Sequence, residues 1–105
     1  MEKILVKDTI EEMLFNDQAR GLLEKTINKH RKFLKMFNEY LVSFQVQYID
    51  EVKPVHIKQF MIKKQKDSGA ESYINSFLRS IRALFRYCVE EEYIPETIPV
   101  CAWRG

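Results

Sequence analysis

The chain of 105 residues is 46% hydrophobic and 30% charged, with three glycines and three prolines, which fits one compact domain and excludes collagen-like, loop-dominated and disordered classes. No apolar run approaches the roughly 20 residues that cross a bilayer, and the start MEKILVKDTIEEM lacks the apolar centre of a signal peptide, so a cytoplasmic protein with no membrane partner is expected. The net charge of +2 hides an uneven distribution: residues 25–35 and 53–66 each hold five basic and no acidic side chains, and residues 72–89 hold three arginines and no acid, so a fold that gathers these blocks has a basic face.

Helical periodicity runs through almost the whole chain. A first helix is expected from Thr9 to Arg20: Asp8-Thr9-Ile10-Glu11 reads as an N-cap with its reciprocal glutamate, and Gly21 as the stop. Ile10, Met13 and Leu14 make only a narrow apolar stripe, so this helix is peripheral.

A second helix spans about Glu24 to Phe44. Ile27, Phe33, Leu34, Phe37, Tyr40, Leu41 and Phe44 mark its core side, while Lys25, Asn28, Lys29, Lys32 and Lys35 form a polar row opposite. In the loop Gln45 to Lys53, the residues Tyr48, Ile49 and Val52 are expected to tuck partly against the core.

Pro54 opens the third helix, with Val52 and Ile57 placed to staple its start and Ile57, Phe60 and Met61 facing inward. Lys63, Lys64 and Lys66 bring positive charge to its carboxyl end, and Asp67-Ser68-Gly69 ends it.

The fourth helix, about Glu71 to Glu92, has the strongest pattern. Ile74, Phe77, Leu78, Ile81, Leu84, Phe85, Cys88 and Val89 occupy one face. Ser72, Asn75, Arg79, Arg82 and Arg86, spaced three, four, three and four apart, line another. An arginine row without interleaved acids is more than solubility requires. Arginine grips phosphate or guanine with a planar fork, and asparagine pairs with adenine, so this face is read as a DNA contact.

Enzymatic and metal chemistry finds no support. Cys88 and Cys101 are too few for a disulfide framework, and Cys88 reads as a small core residue. His30 and His56 have no partner at a zinc-ligand spacing, and phosphate-loop and dinucleotide fingerprints are missing, so no metal and no cofactor are expected. Glu90, Glu91 and Glu92 point about 100° apart on a helix and read as a solvated end. His30 reads as a half-buried packing residue.

The ordered set Thr26-Ile27, Phe37, Leu41, Ile57 to Phe60, Gly69, Ser72, Ile74-Asn75, Leu78, Arg82, Phe85 and Tyr93-Ile94 before a proline closely resembles the core-binding domain of phage integrases, the N-terminal SAM-like module of tyrosine recombinases. The resemblance covers about residues 9 to 99. It implies an all-α, compact four-helix SAM-like bundle that binds double-stranded DNA at a recombination core site through the polar faces of its second and fourth helices. Thr26, Lys29, Ser72, Asn75, Arg79 and Arg82 match places where the family contacts DNA; Lys25, Lys32 and Arg86 join them from helical geometry. The chain departs from the family pattern at Leu23, where a serine N-cap is usual, at His30 for tyrosine, at Tyr73 for threonine and at Ile98-Pro99 for Asn-Pro.

The expected organisation is an N-terminal extension (1–8), the core-binding domain (9–94) and the start of a linker (95–105) to a catalytic domain that lies outside this chain. The chain alone is then no enzyme. Its partners are DNA and, in the full-length assembly, other recombinase subunits, and the isolated domain is expected to be monomeric. Two other readings are a helix-turn-helix regulator, disfavoured by the long fourth helix and the loose turn before it, and a protein-interaction module using the acidic first helix or the tail with Trp103.

Overall fold

The structure, a computed structural model, describes residues 4–68 and 71–95. It contains α1 (Val6–Ala19), α2 (Glu24–Ser43), a single 3-10 turn (Ile49–Glu51), α3 (Pro54–Ser68) and α4 (Glu71–Glu90). The all-α, four-helix expectation is met. Among the described residues no strand forms, and no helix is long and apolar enough to cross a membrane. Gly69, Cys101, Trp103 and the Ile98-Pro99 pair, which the sequence reading used, lie outside the described residues.

The first helix begins earlier than expected. It starts at Val6, and the residue before it, Leu5, supplies no side-chain cap. Backbone pairing replaces the expected capping box: Leu5 and Tyr48 form an antiparallel bridge, Val6 N–H donates to Gln47 O at 2.8 Å, and Ile49 N–H donates to Ile4 O at 2.8 Å. The chain that would have been free at the helix start is therefore tied to the α2–α3 loop, which satisfies a donor that a cap would otherwise serve. Thr9 sits within the helix, fully buried, and its hydroxyl donates to Val6 O at 2.7 Å.

Three helices end in the same way. After α1, Gly21 (φ 82°) lets Gly21 N–H reach Gln18 O and Leu22 N–H reach Asp17 O. This is the paired 5→2 and 6→1 bonding of a Schellman motif, and glycine adopts its left-handed residue without strain. The ends of α2 and α4 repeat it with Gln45 (φ 63°) and Glu92 (φ 62°): Val46 N–H donates to Leu41 O at 2.9 Å, and Tyr93 N–H to Cys88 O at 2.8 Å.

The core joins two kinds of packing. Val6, Ile10, Met13 and Leu14 of α1 add an aliphatic edge. Between α2, α3 and α4 the core is aromatic: Phe77 lies 4.5 Å from Phe33, 5.1 Å from Phe60 and 4.9 Å from Tyr73, centroid to centroid, and Phe37 lies 5.3 Å from Phe60. Tilted and edge-on pairs of this kind align positive ring edges with negative faces and add to the area they bury. Cys88 is fully buried, as expected, and burial pushes its thiol up to about 11.

Pro54 opens α3 as expected, with Val52 and Ile57 both buried beside that start. His56 completes the cap, because its Nδ1 accepts from Lys53 N–H at 2.9 Å, the part a glutamate plays in a capping box. Lys66 occupies the last turn. Lys63 and Lys64, expected to serve the same helix end, lie instead over aromatic rings: Lys63 Nζ is 5.6 Å from the Tyr40 centroid, and Lys64 Nζ is 5.6 Å from that of Phe60. In the loop, Val46, Ile49 and Val52 are buried and Tyr48 half-buried, so the segment is part of the core.

Candidate nucleic-acid interface

Helices α2 and α4 each bury one face and expose the other. On α4, Ile74, Phe77, Leu78, Ile81, Leu84, Phe85 and Cys88 are buried, while Ser72, Asn75, Arg79, Arg82 and Arg86 are exposed. On α2, Ile27, Phe33, Leu34, Phe37 and Leu41 are buried, Lys25, Lys29 and Lys32 are exposed, and Thr26 is half-buried. The spacing of three and four residues thus separates core from polar face in both helices.

The two helices run antiparallel. Phe33 meets Tyr73 at 5.8 Å and Phe77 at 4.5 Å, whereas His30, one turn earlier on α2, meets Ser80, one turn later on α4. At about 100° of rotation per residue, Thr26 lies within about 20° of Phe33, on the side of α2 that meets α4. Arg79 lies about 100° from Ser80 and Arg82 about 160°, so the α4 row begins beside the contact between the helices and turns toward the outer shoulder. The proximity of Arg79 is felt at His30: burial lowers the imidazole pKa most, Asp17 raises it, and Arg79 lowers it.

Not every cation of the basic blocks is available. Arg31 of α2 reaches back to Glu11 of α1 at 3.9 Å, and Arg20 is held by Asp17 at 3.1 Å. By contrast Lys25, Lys29, Lys32, Arg79, Arg82 and Arg86 form no salt bridge with any described residue. Charge left exposed and unpaired in this way is suited to polyanions, since guanidinium forks match phosphate oxygens and each contact displaces a condensed counterion.

Two arrangements were not anticipated from sequence. His30 is buried at 9% exposure, and its Nδ1 lies 2.8 Å from the hydroxyl of Ser80, itself 2% exposed. Both are polar residues at positions of otherwise apolar faces, and that shared irregularity is the signal that pairs them. Two turns farther along α4, Glu12 of α1 accepts hydrogen bonds from Tyr87 OH at 3.2 Å and Tyr93 OH at 2.5 Å. Burial and Glu12 together raise the Tyr87 pKa, and the Glu12 hydrogen bond with burial pushes Tyr93 up to about 12. Among the described residues no three His, Cys, Asp or Glu side chains converge on a metal-sized site.

Comparison with known proteins agrees with this helical, basic frame. Residues 12–92 match the family model of the phage integrase N-terminal SAM-like domain. The chain is also similar to the tyrosine recombinase XerD of Staphylococcus saprophyticus, 27% identical over 85 residues that cover 80% of this chain and 29% of that relative. It therefore spans less than a third of the curated relative it matches. No solved structure gives a significant match.

Proposed function

The chain belongs to the phage integrase N-terminal SAM-like domain family, and on that premise we propose that it is the DNA-binding module of a site-specific tyrosine recombinase. In this reading Lys25, Thr26, Lys29 and Lys32 of α2, with Ser72, Asn75, Arg79, Arg82 and Arg86 of α4, grip one side of a recombination core site. The observation that carries it is the exposed, unpaired arginine row of α4 beside the lysine row of α2. Arg79, Arg82 and the lysines neutralise phosphates, while Asn75 and the arginines reach base edges.

Strand cleavage belongs, in this proposal, to a catalytic domain separate from residues 9–94, reached through the segment from Pro95. The cleavage would pass through a covalent link between DNA and a tyrosine of that domain. DNA, sister subunits and the cytoplasm are the corresponding partners and compartment.

Titration of a labelled core-site duplex with the 105-residue chain tests the contact assignment. Arg79→Ala with Arg82→Ala is expected to weaken binding at low salt and to lower the slope of log affinity against log salt by roughly 0.9 per lost phosphate contact. Unchanged affinity would overturn the assignment. A second reading, contact between subunits through α1, is favoured by the exposure of its Phe15 at 75%. Self-association lost in Phe15→Ser, without any duplex binding by the parent chain, would put that reading first.

A further inference from the structure

The hydrogen bond between His30 and Ser80 joins residues 50 positions apart, and each follows a member of the candidate DNA-contacting rows: His30 follows Lys29, and Ser80 follows Arg79. One turn away along the helix pair, Phe33 packs against Tyr73 and Phe77. Ring packing favours edge-on and tilted arrangements over a range of centroid separations, whereas a hydrogen bond weakens steeply when its length or angle changes and so adds a sharper constraint on register. The one directional contact between α2 and α4 recorded among the described residues therefore sits level with Lys29 and Arg79.

We infer that His30 and Ser80 are positioning residues for DNA binding, holding the α2 row in register with the α4 row so that both meet the same stretch of duplex. The inference rests on the reading of those rows as the DNA contact. His30 does not touch phosphate in this role, since it is buried and faces Ser80.

The surroundings keep the pair neutral. Burial disfavours imidazolium; Asp17 of α1, which favours it, is itself engaged by Arg20 at 3.1 Å, and Arg79 of α4 opposes it. Lys29 and Arg31 flank His30 in sequence, and Arg31 turns away to Glu11. Loss of the partner leaves a buried polar atom without a hydrogen bond, in a protein whose described buried side-chain polar atoms are otherwise all satisfied. The helices would then relax in register, and one row would lose its alignment with phosphates spaced along a rigid duplex.

Fluorescence anisotropy of the labelled duplex with the 105-residue chain tests this, alongside circular dichroism to confirm a helical fold and a cooperative melt. Ser80→Ala and His30→Leu are each expected to weaken binding about threefold to tenfold, the worth of one neutral hydrogen bond, with the salt slope unchanged because no phosphate contact is lost. The double variant should be no weaker than either single one. His30→Asn, whose amide stands where the imidazole carries Nδ1, should bind within about twofold of the parent.

Parent-like binding by folded Ser80→Ala overturns the inference. So does a lower salt slope in His30→Leu, which would make His30 a direct phosphate contact, or His30→Asn binding as poorly as His30→Leu. Ser80→Ala removes a single oxygen atom and decides the matter if His30→Leu fails to fold. Arg79→Ala in the same titration separates the two levels. If the parent chain does not bind, or Arg79→Ala binds with parent affinity and slope, the reading of the rows fails and the inference falls with it; if Arg79→Ala weakens binding and Ser80→Ala does not, only the inference fails.

Discussion

Where α4 meets α2, Ser80 and His30 share a buried neutral hydrogen bond near edge-on and tilted aromatic rings; where it meets α1, Tyr87 and Tyr93 donate to the exposed carboxylate of Glu12. The acids of α1 also hold cations, Asp17 that of Arg20 and Glu11 that of Arg31 on α2. On the α2–α4 side the helices meet through apolar and neutral contacts; Lys32 and Lys64 lie over the rings of Phe33 and Phe77, while Arg79, Arg82 and Arg86 are exposed and pair with no described acid. The difference suits the DNA contact proposed for the arginine row.

The largest test of this contrast is removal of Phe77, whose ring touches Phe33, Phe60 and Tyr73. Phe77→Ala is expected to cost about 3–5 kcal/mol of stability, the range for a large buried aromatic ring, measured by urea denaturation. A loss as small as that of a surface substitution would show that the aromatic packing is not what holds α2 to α4.

Acid titration probes the same side. Because the folded-state pKa of His30 is lowered from 6.5, the unfolded chain takes up the proton first, and stability falls with pH below 6.5 until the folded form also protonates. Above that value the contribution is constant. His30→Asn should flatten this part of the stability profile, followed as thermal midpoint between pH 7 and pH 5; an unchanged profile would place the titration elsewhere.

Smaller effects sit at the helix ends and on the α1 side. Gln45→Gly removes the cost of a side chain at φ 63° and should stabilise by about 0.5–1 kcal/mol in thermal unfolding. Glu12→Gln, which keeps an acceptor for both phenols but removes the charge, should change stability by no more than about 0.5 kcal/mol. A large loss there would erase the contrast between the two sides.

The helices and their inward faces were legible because periodicity of three and four is a local property, and Phe77, Ile81 and Phe85 carry it without interruption. The stop at Gly21 was legible because glycine favours the left-handed conformation. Gln45 and Glu92 adopt the same conformation with no such mark in the chain, since their carbonyl partners and the contacts of Val46 and Tyr93 hold them there. The start at Val6 escaped for a different reason. Its donor is satisfied by Gln47, more than 40 positions away, and local capping rules cannot see that bond. At the candidate interface, the exposure of Arg79, Arg82 and Arg86 followed from spacing alone. Which cations of residues 25–35 remain available depended on how α1 lies across α2, and only the structure separates Arg31, paired with Glu11, from Lys25, Lys29 and Lys32.

The antiparallel run of α2 and α4 has one more consequence. Backbone dipoles of neighbouring helices pointing in opposite directions largely cancel, so neither end of the pair carries the half-charge that a lone helix terminus would present. The potential over this face is then written by side chains, whose positive charges are discrete and replaceable. Changing one arginine alters the field locally and leaves the rest of it standing.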